Sequence, residues 1–232
     1  MLRRARIVLA LAILAATGCA DRVRIDDGAQ VGPLTQVKDW FTSVFVLPTD
    51  DGAVLFDAGF RAGALERKLG DLGIALGDVT DVFLTHGHGD HIALAEALPG
   101  ARILALEAER ALIDEESDGA VVLTDPVVDG DVIDVGTPVE VFAVPGHTAG
   151  STVYLVGGVL ILGDAAIVDR DEQLVPVPEK RSENPAELVA SMQALAARLE
   201  PRADTIAWLA PAHSAPLQGF APLADFAAPP DP

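Results

Sequence analysis

Apolar and polar positions alternate along this chain in two rhythms, and their succession predicts a mixed α/β domain. Residues 34–37 and 43–47 read as strands joined through Trp40 and Phe41, and residues 53–56 as a buried strand running into Asp57-Ala58-Gly59. A helical pattern covers residues 62–72, and residues 82–85 form the next strand. Residues 92–98 predict a helix stopped by Pro99-Gly100, residues 102–106 a strand, and residues 107–113 a helix with acids in its first turn. Strands follow at residues 132–135, 139–144, 151–156 and 159–162. Asn184-Pro185-Ala186-Glu187 combines an N-cap, a proline at the first helical position and a capping-box acid, so a helix is expected to about residue 199. Residues 204–209 give the last strand, and the proline-rich end, residues 221–232, reads as a frayed, disordered tail.

No short repeat interrupts this order. Two successive β-rich halves, each closed by helices, predict sheets packed between helix layers. The 232 residues suit one large domain with an ample core, and a composition that is 50% hydrophobic and 22% charged excludes general disorder. Charge narrows the partners. Sixteen Lys and Arg against 35 Asp and Glu leave the chain at −19, a surface that repels phosphate backbones. Nucleic acid is therefore excluded and a small-molecule substrate expected. The single cysteine rules out an internal disulfide and a Cys-rich zinc module.

The N-terminus reads as an export signal. Three arginines in residues 1–6 precede an apolar run over residues 7–16, too short to span a bilayer. Ala16-Thr17-Gly18-Cys19 resembles a bacterial lipobox, with Ala16 where the pattern more often has leucine. The resemblance implies cleavage of residues 1–18 as a signal peptide and acylation of Cys19, which would anchor the protein to the membrane of the cell envelope as a lipoprotein. Ala20 after the cysteine leans toward the outer membrane, facing the periplasm. An ordinary signal peptide with an incidental cysteine is the plainer alternative. Residues 19–33 then read as a polar, flexible tether, and residues 34–220 as the domain proper.

The five histidines carry the candidate chemistry. The strand ending at Leu84 leads into Thr85-His86-Gly87-His88-Gly89-Asp90-His91, in which alternate side chains share a face and the glycines let the backbone turn tightly. Imidazole and carboxylate groups suit zinc and related divalent metals. Further donors follow other apolar strands: His147 in Pro145-Gly146-His147, Asp164 in Leu162-Gly163-Asp164 and His213 in Pro211-Ala212-His213.

This set, with the Pro-Gly-His-Thr-x-Gly-Ser segment from Pro145 to Ser151, resembles the metallo-β-lactamase superfamily over roughly residues 34–219. The resemblance implies a four-layer αββα sandwich of two mixed sheets flanked by helices, with a dinuclear site at one edge. It implies that His86, His88 and His147 hold one metal, that Asp90, His91 and His213 hold a second, and that Asp164 bridges them. Asp57 matches an aspartate that supports the site from behind; a plain turn former is its blander reading. Two zinc ions are expected, with iron or manganese as alternatives. The implied activity is metal-dependent hydrolysis of a small ester, thioester, lactone or amide, with water as the nucleophile and Asp90 as the catalytic residue.

Particular branches fit less well. Asp164 stands where one lactamase subclass has cysteine and another serine, which weakens a true β-lactamase. Glyoxalase-type thioesterases carry a C-terminal helical region, whereas 19 residues follow His213 here. Familiar acyl-homoserine lactonases have a tyrosine where this chain has Ile167. Iron-dependent sulfur oxidation, a di-iron redox role and metal or ligand binding without turnover remain as alternatives. Trp40-Phe41 reads as a flap beside the metals or as a cap on the core. Arg170, Lys180 and Arg181 read as partners for a substrate carboxylate or as loop-solvating charges. Ser151 and Ser214 read as structural, the acids at 114–116 as a solvated helix end, and oligomeric state is not readable.

Overall fold

Tight turns between apolar strands make the first half of the molecule begin as a meander. In the computed structural model, which describes residues 23–227, β1 (Ala29–Val31), β2 (Leu34–Asp39), β3 (Thr42–Thr49) and β4 (Gly52–Phe56) pair antiparallel in sequence order. β5 (Val79–Phe83), β6 (Arg102–Leu106) and β7 (Asp125–Val127) then join in parallel. Parallel neighbours need crossovers. These are α1 (Ala62–Asp71), the short α2 (Gly89–Ile92) with a 3₁₀ turn at Ala95–Ala97, and α3 (Arg110–Glu116).

The second half repeats the device. β8 (Val132–Asp134), β9 (Pro138–Ala143), β10 (Thr152–Val156) and β11 (Val159–Gly163) form an antiparallel meander. A small hairpin of β12 (Ile167–Val168) and β13 (Leu174–Val175) precedes α4 (Pro185–Leu199). This helix crosses over to β14 (Trp208–Pro211), parallel to β11, and β15 (Leu217–Gln218) closes that edge before α5 (Ala221–Ala227).

Two sheets result, ordered β1-β2-β3-β4-β5-β6-β7 and β15-β14-β11-β10-β9-β8. Residue period two sorts their side chains. Along β4, Val54 and Phe56 face the other sheet while Ala53 and Leu55 face the helices; along β10, Tyr154 and Val156 face inward while Val153 and Leu155 face α4. Between the sheets Phe56, Phe83 and Tyr154 pack ring to ring, 5.2–5.9 Å apart. Leu65 and Leu69 of α1 with Ile113 of α3 cover one outer face, and Leu188, Met192 and Leu199 of α4 cover the other. The four-layer αββα architecture expected from the sequence is thus the observed one.

Several expectations are corrected. The tether is short: Ile25 and Val31 are buried, β1 adds to the first sheet, and Val23 N–H bonds the Val168 carbonyl. The Asp, Gly and Pro residues that suggested a linker are turn residues, Gly28 and Gly32 at positive φ. The tail is partly helical, because Pro222 falls in the first turn of α5, where proline is tolerated, and Leu223 is fully buried. The expected helix over 92–98 is broken, since the Ala93 and Leu94 N–H groups bond the carbonyls of Gly59 and Ala58. The last strand begins at Trp208, with Asp204 in the 3₁₀ turn Glu200–Thr205. The signal segment 1–18 and Cys19 lie outside the described residues, as do residues 228–232. Among the described residues no helix is long and apolar enough to cross a membrane.

Candidate metal centre

Strand direction gathers the predicted ligands. β4 and β5 run parallel; β9 and β11 both oppose β10 and so run together with β14. The segments that follow these five strands carry Asp57, His86–His91, His147, Asp164 and His213. The two sheets are stitched at this edge. Thr152 N–H donates to the Thr85 carbonyl at 2.8 Å, and Gly163, at φ 53°, lies so close to Thr85 that a Cβ would stand 2.4 Å from its hydroxyl.

The structure brings all seven predicted ligands together. His147 Nε2 lies 3.1 Å from His86 Nε2 and 3.1 Å from His88 Nδ1. One proton can serve only one such pair, so lone pairs converge on a shared point. His213 Nε2 lies 3.3 Å from Asp90 Oδ2, and His91 Nε2 lies 3.6 Å from the same oxygen. Asp164 stands between the groups. Its Oδ2 is 3.7 Å from His147 Nε2, while its Oδ1 is 3.0 Å from His213 Nε2 and 3.4 Å from His91 Nε2. Donor atoms of His86, His88 and His147, of His86, His91 and Asp164, and of Asp90, His91 and His213 each fall within 4.8 Å of one another.

Backing groups orient several rings. His91 Nδ1 donates to Asp57 Oδ2 at 2.8 Å, and Asp57 Oδ1 accepts the Thr85 N–H at 2.8 Å. His86 Nδ1 contacts the Thr85 hydroxyl at 3.1 Å, and His213 Nδ1 donates to the Phe41 carbonyl at 2.9 Å. With Nδ1 so engaged, the Nε2 atoms of His91 and His213 face inward, where the neutral rings would offer their lone pairs. His91 Nε2 and Asp164 Oδ1 are buried without a hydrogen-bond partner among the described residues. Buried polar atoms left in this state are rare. Imidazole nitrogens and carboxylate oxygens converging there fit a divalent cation such as zinc.

Charge is distributed unevenly. Burial, then the neighbouring His91 and His147, holds the His86 imidazole well below its ordinary pKa, and burial takes His147 down to about 4. Burial also opposes protonation of His91, but the carboxylates of Asp57, Asp90 and Asp164 outweigh it and raise that group well above its usual value. His213 is raised to about 9, since Asp164 and Asp90 overcome its burial. Burial resists ionisation of Asp90 and Asp164 as well, yet His91 and His213 keep both carboxyls below the usual range.

The sequence profile of the metallo-β-lactamase superfamily matches residues 37–213. The chain belongs to that superfamily. Among curated superfamily relatives, it is 35% identical over 129 residues to the human metallo-β-lactamase domain-containing protein 1, covering 52% of this chain and 46% of that one. It is 38% identical over 160 residues to the hydroxyacylglutathione hydrolase of Acidiphilium cryptum, covering 67% of this chain and 55% of the relative. The chain thus spans about half the length of these two relatives. Solved structures of the superfamily share its fold. One is a B3 metallo-β-lactamase with an active-site glutamic acid (TM-score 0.67, 21% identity, 93% of this chain and 90% of that chain). Another is a metallo-β-lactamase family protein from Thermus thermophilus (TM-score 0.64, 22% identity, 86% and 79%).

The remaining candidates divide. Asp57 lies behind the cluster, bonded to the His91 ring and the Thr85 N–H. Trp40 and Phe41 form a surface beside it: Phe41 stacks 5.6 Å from the His213 ring, and Trp40, 52% exposed, packs with Phe41 and Phe60 at 5.0 and 5.5 Å. Lys180 is exposed and Arg181 half-buried in the 3₁₀ turn Glu179–Arg181. Ser151 bonds Thr148 and Ser214 bonds the Val168 N–H, so both are structural. Sequence reading missed Phe60 and Glu109, which carry no spacing signal, and gave Thr148 no role beyond its place in the Pro145–Ser151 motif. Glu116, read as part of a solvated helix end, accepts the Gly89 N–H at 3.2 Å.

Proposed function

We propose that this protein is a dinuclear zinc-dependent hydrolase acting on a small ester, thioester, lactone or related amide. The position of Asp164 carries the reading: one oxygen faces His147 of the first triad and the other faces His91 and His213 of the second. In this reading His86, His88 and His147 hold one ion, Asp90, His91 and His213 the other, and Asp164 both. Paired divalent ions acidify water toward neutrality and polarise a carbonyl oxygen.

The chain's own groups do the rest. Asp90, partly exposed where the other acids of the site are buried, sets Oδ2 beside the Nε2 atoms of His91 and His213 and would hold a proton taken from the attacking water. Asp57 fixes His91, and the Phe41 carbonyl fixes His213. Trp40, Phe41 and Phe60 offer an apolar wall on the His213 side, which favours a substrate with an apolar group next to the scissile bond. The relatives named hydroxyacylglutathione hydrolase support the thioester part of the range.

The location is also proposed: an exported lipoprotein held through Cys19 in the bacterial envelope. Activity is tested with a panel of esters, thioesters, lactones and β-lactams, run with wild type and Asp90→Asn at equal zinc loading. The variant should lose at least about a hundredfold in kcat. Equal rates on every compound would discard the hydrolase reading.

A further inference from the structure

Glu109 is 1% exposed and has no part in the reading above. It ends the 3₁₀ turn Glu107–Glu109, just before α3. A buried carboxylate is costly unless its oxygens are satisfied, so its partners define its role. Oε2 accepts the Gly87 N–H at 2.7 Å; Oε1 accepts the Gly150 N–H at 2.6 Å and the Thr148 hydroxyl at 2.7 Å. Gly87 separates His86 from His88, and Thr148 follows His147. One side chain therefore ties together two ligand loops that come from different sheets.

The fit is close on both sides. A Cβ on Gly150 would stand 2.8 Å from Glu109 Oε1 and 2.9 Å from its Cγ, and one on Gly87 would stand 2.9 Å from the Ile113 nitrogen. His147 has particular need of such a brace. His86, His91 and His213 each have a partner on Nδ1, whereas His147 Nδ1 is buried with none among the described residues. Its ring is aimed by its loop alone. The start of α4 holds that loop from behind, through Glu183 N–H to the His147 carbonyl and Asn184 N–H to the Gly146 carbonyl. Glu109 supplies the tie across to the other histidines.

We propose that Glu109 is the positioning residue for His147, fixing the two loops at the separation that lets His86, His88 and His147 share an ion. The inference rests on the metal-binding reading of the cluster. It predicts a selective defect, because His91 and His213 are oriented by other groups, the Asp57 carboxylate and the Phe41 carbonyl. In Glu109→Gln, the amide oxygen belongs on the side of the two donors, Gly150 and Thr148, leaving its NH₂ against the Gly87 N–H.

The test titrates metal-free wild type, Glu109→Gln and Thr148→Val with zinc against a chromophoric chelator, and follows amide exchange without metal. Glu109→Gln should weaken one ion about 10- to 100-fold and leave the other unchanged, with Thr148→Val weakening the same ion less. Both ions at wild-type affinity, or both weakened alike, would overturn the proposal. If Glu109→Gln fails to fold, Thr148→Val decides: one ion weakened supports the brace, and unchanged affinities refute it. Wild type that takes up no zinc would sink the metal reading instead. Exchange at Gly87 then judges the brace, which stands if Glu109→Gln accelerates it relative to Gly150 and falls if it does not.

Discussion

At Asp57 a buried carboxylate sits on backbone at φ 63°, a conformation aspartate tolerates better than most side chains. Its bond to His91 fixes which ring nitrogen faces the centre. Asp57→Asn should therefore weaken zinc binding about 10- to 100-fold, read by chelator competition. Protonation adds a second expectation. In the metal-free protein His213, raised to about 9, and His91, raised well above its usual value, carry protons at pH 7, whereas His147, lowered to about 4, does not. Ligation needs the neutral rings, so zinc uptake at pH 7 should release protons, and apparent affinity should climb as pH rises toward 9. Calorimetry in buffers of different ionisation enthalpy measures this; a buffer-independent heat would contradict it. The convergence of these seven histidines and aspartates was legible in the sequence because their residue types and strand-end positions form one pattern. Glu109 was not, since an acid early in a helix is ordinary and only tertiary contacts distinguish it.

Helix α4 shows how an element carries local and distant duties together. Asn184 Oδ1 accepts the Glu187 N–H at 3.2 Å, as the capping pattern predicts, while its own N–H goes to the Gly146 carbonyl. Asn184→Ala should lower stability by about 1 kcal/mol, seen as a lower denaturant midpoint at constant slope. Elements with long apolar runs and clear turn residues were readable. β7, β12, β13 and β15 were not, because two or three residues cannot display a period. The helix expected over residues 92–98 failed for another reason: its amides are drawn to the turn after β4, a competition invisible in local propensity.

Across the whole molecule, the order of strands and crossovers made the αββα sandwich legible. The tether was misread because its turn residues outnumber its two buried anchors, Ile25 and Val31. Its burial shortens the free reach of the proposed anchor: four residue steps separate Cys19 from Val23, whose N–H is already bonded, or about 14 Å fully extended. Cys19→Ser should abolish metabolic labelling with fatty acid and move the protein to the soluble fraction; unchanged labelling would refute the lipid site. The proposed ligands are also divided, with His86, His88, Asp90 and His91 beside the first sheet and His147, Asp164 and His213 beside the second. A cation seated among them would be a buckle as well as a reagent. Zinc at about a hundred times its dissociation constant would add about 2.7 kcal/mol of cohesion, a melting rise on the order of 5–10 °C. Starvation for metal would then loosen the clasp between the halves, and the chain would meet proteases before it ever missed a substrate.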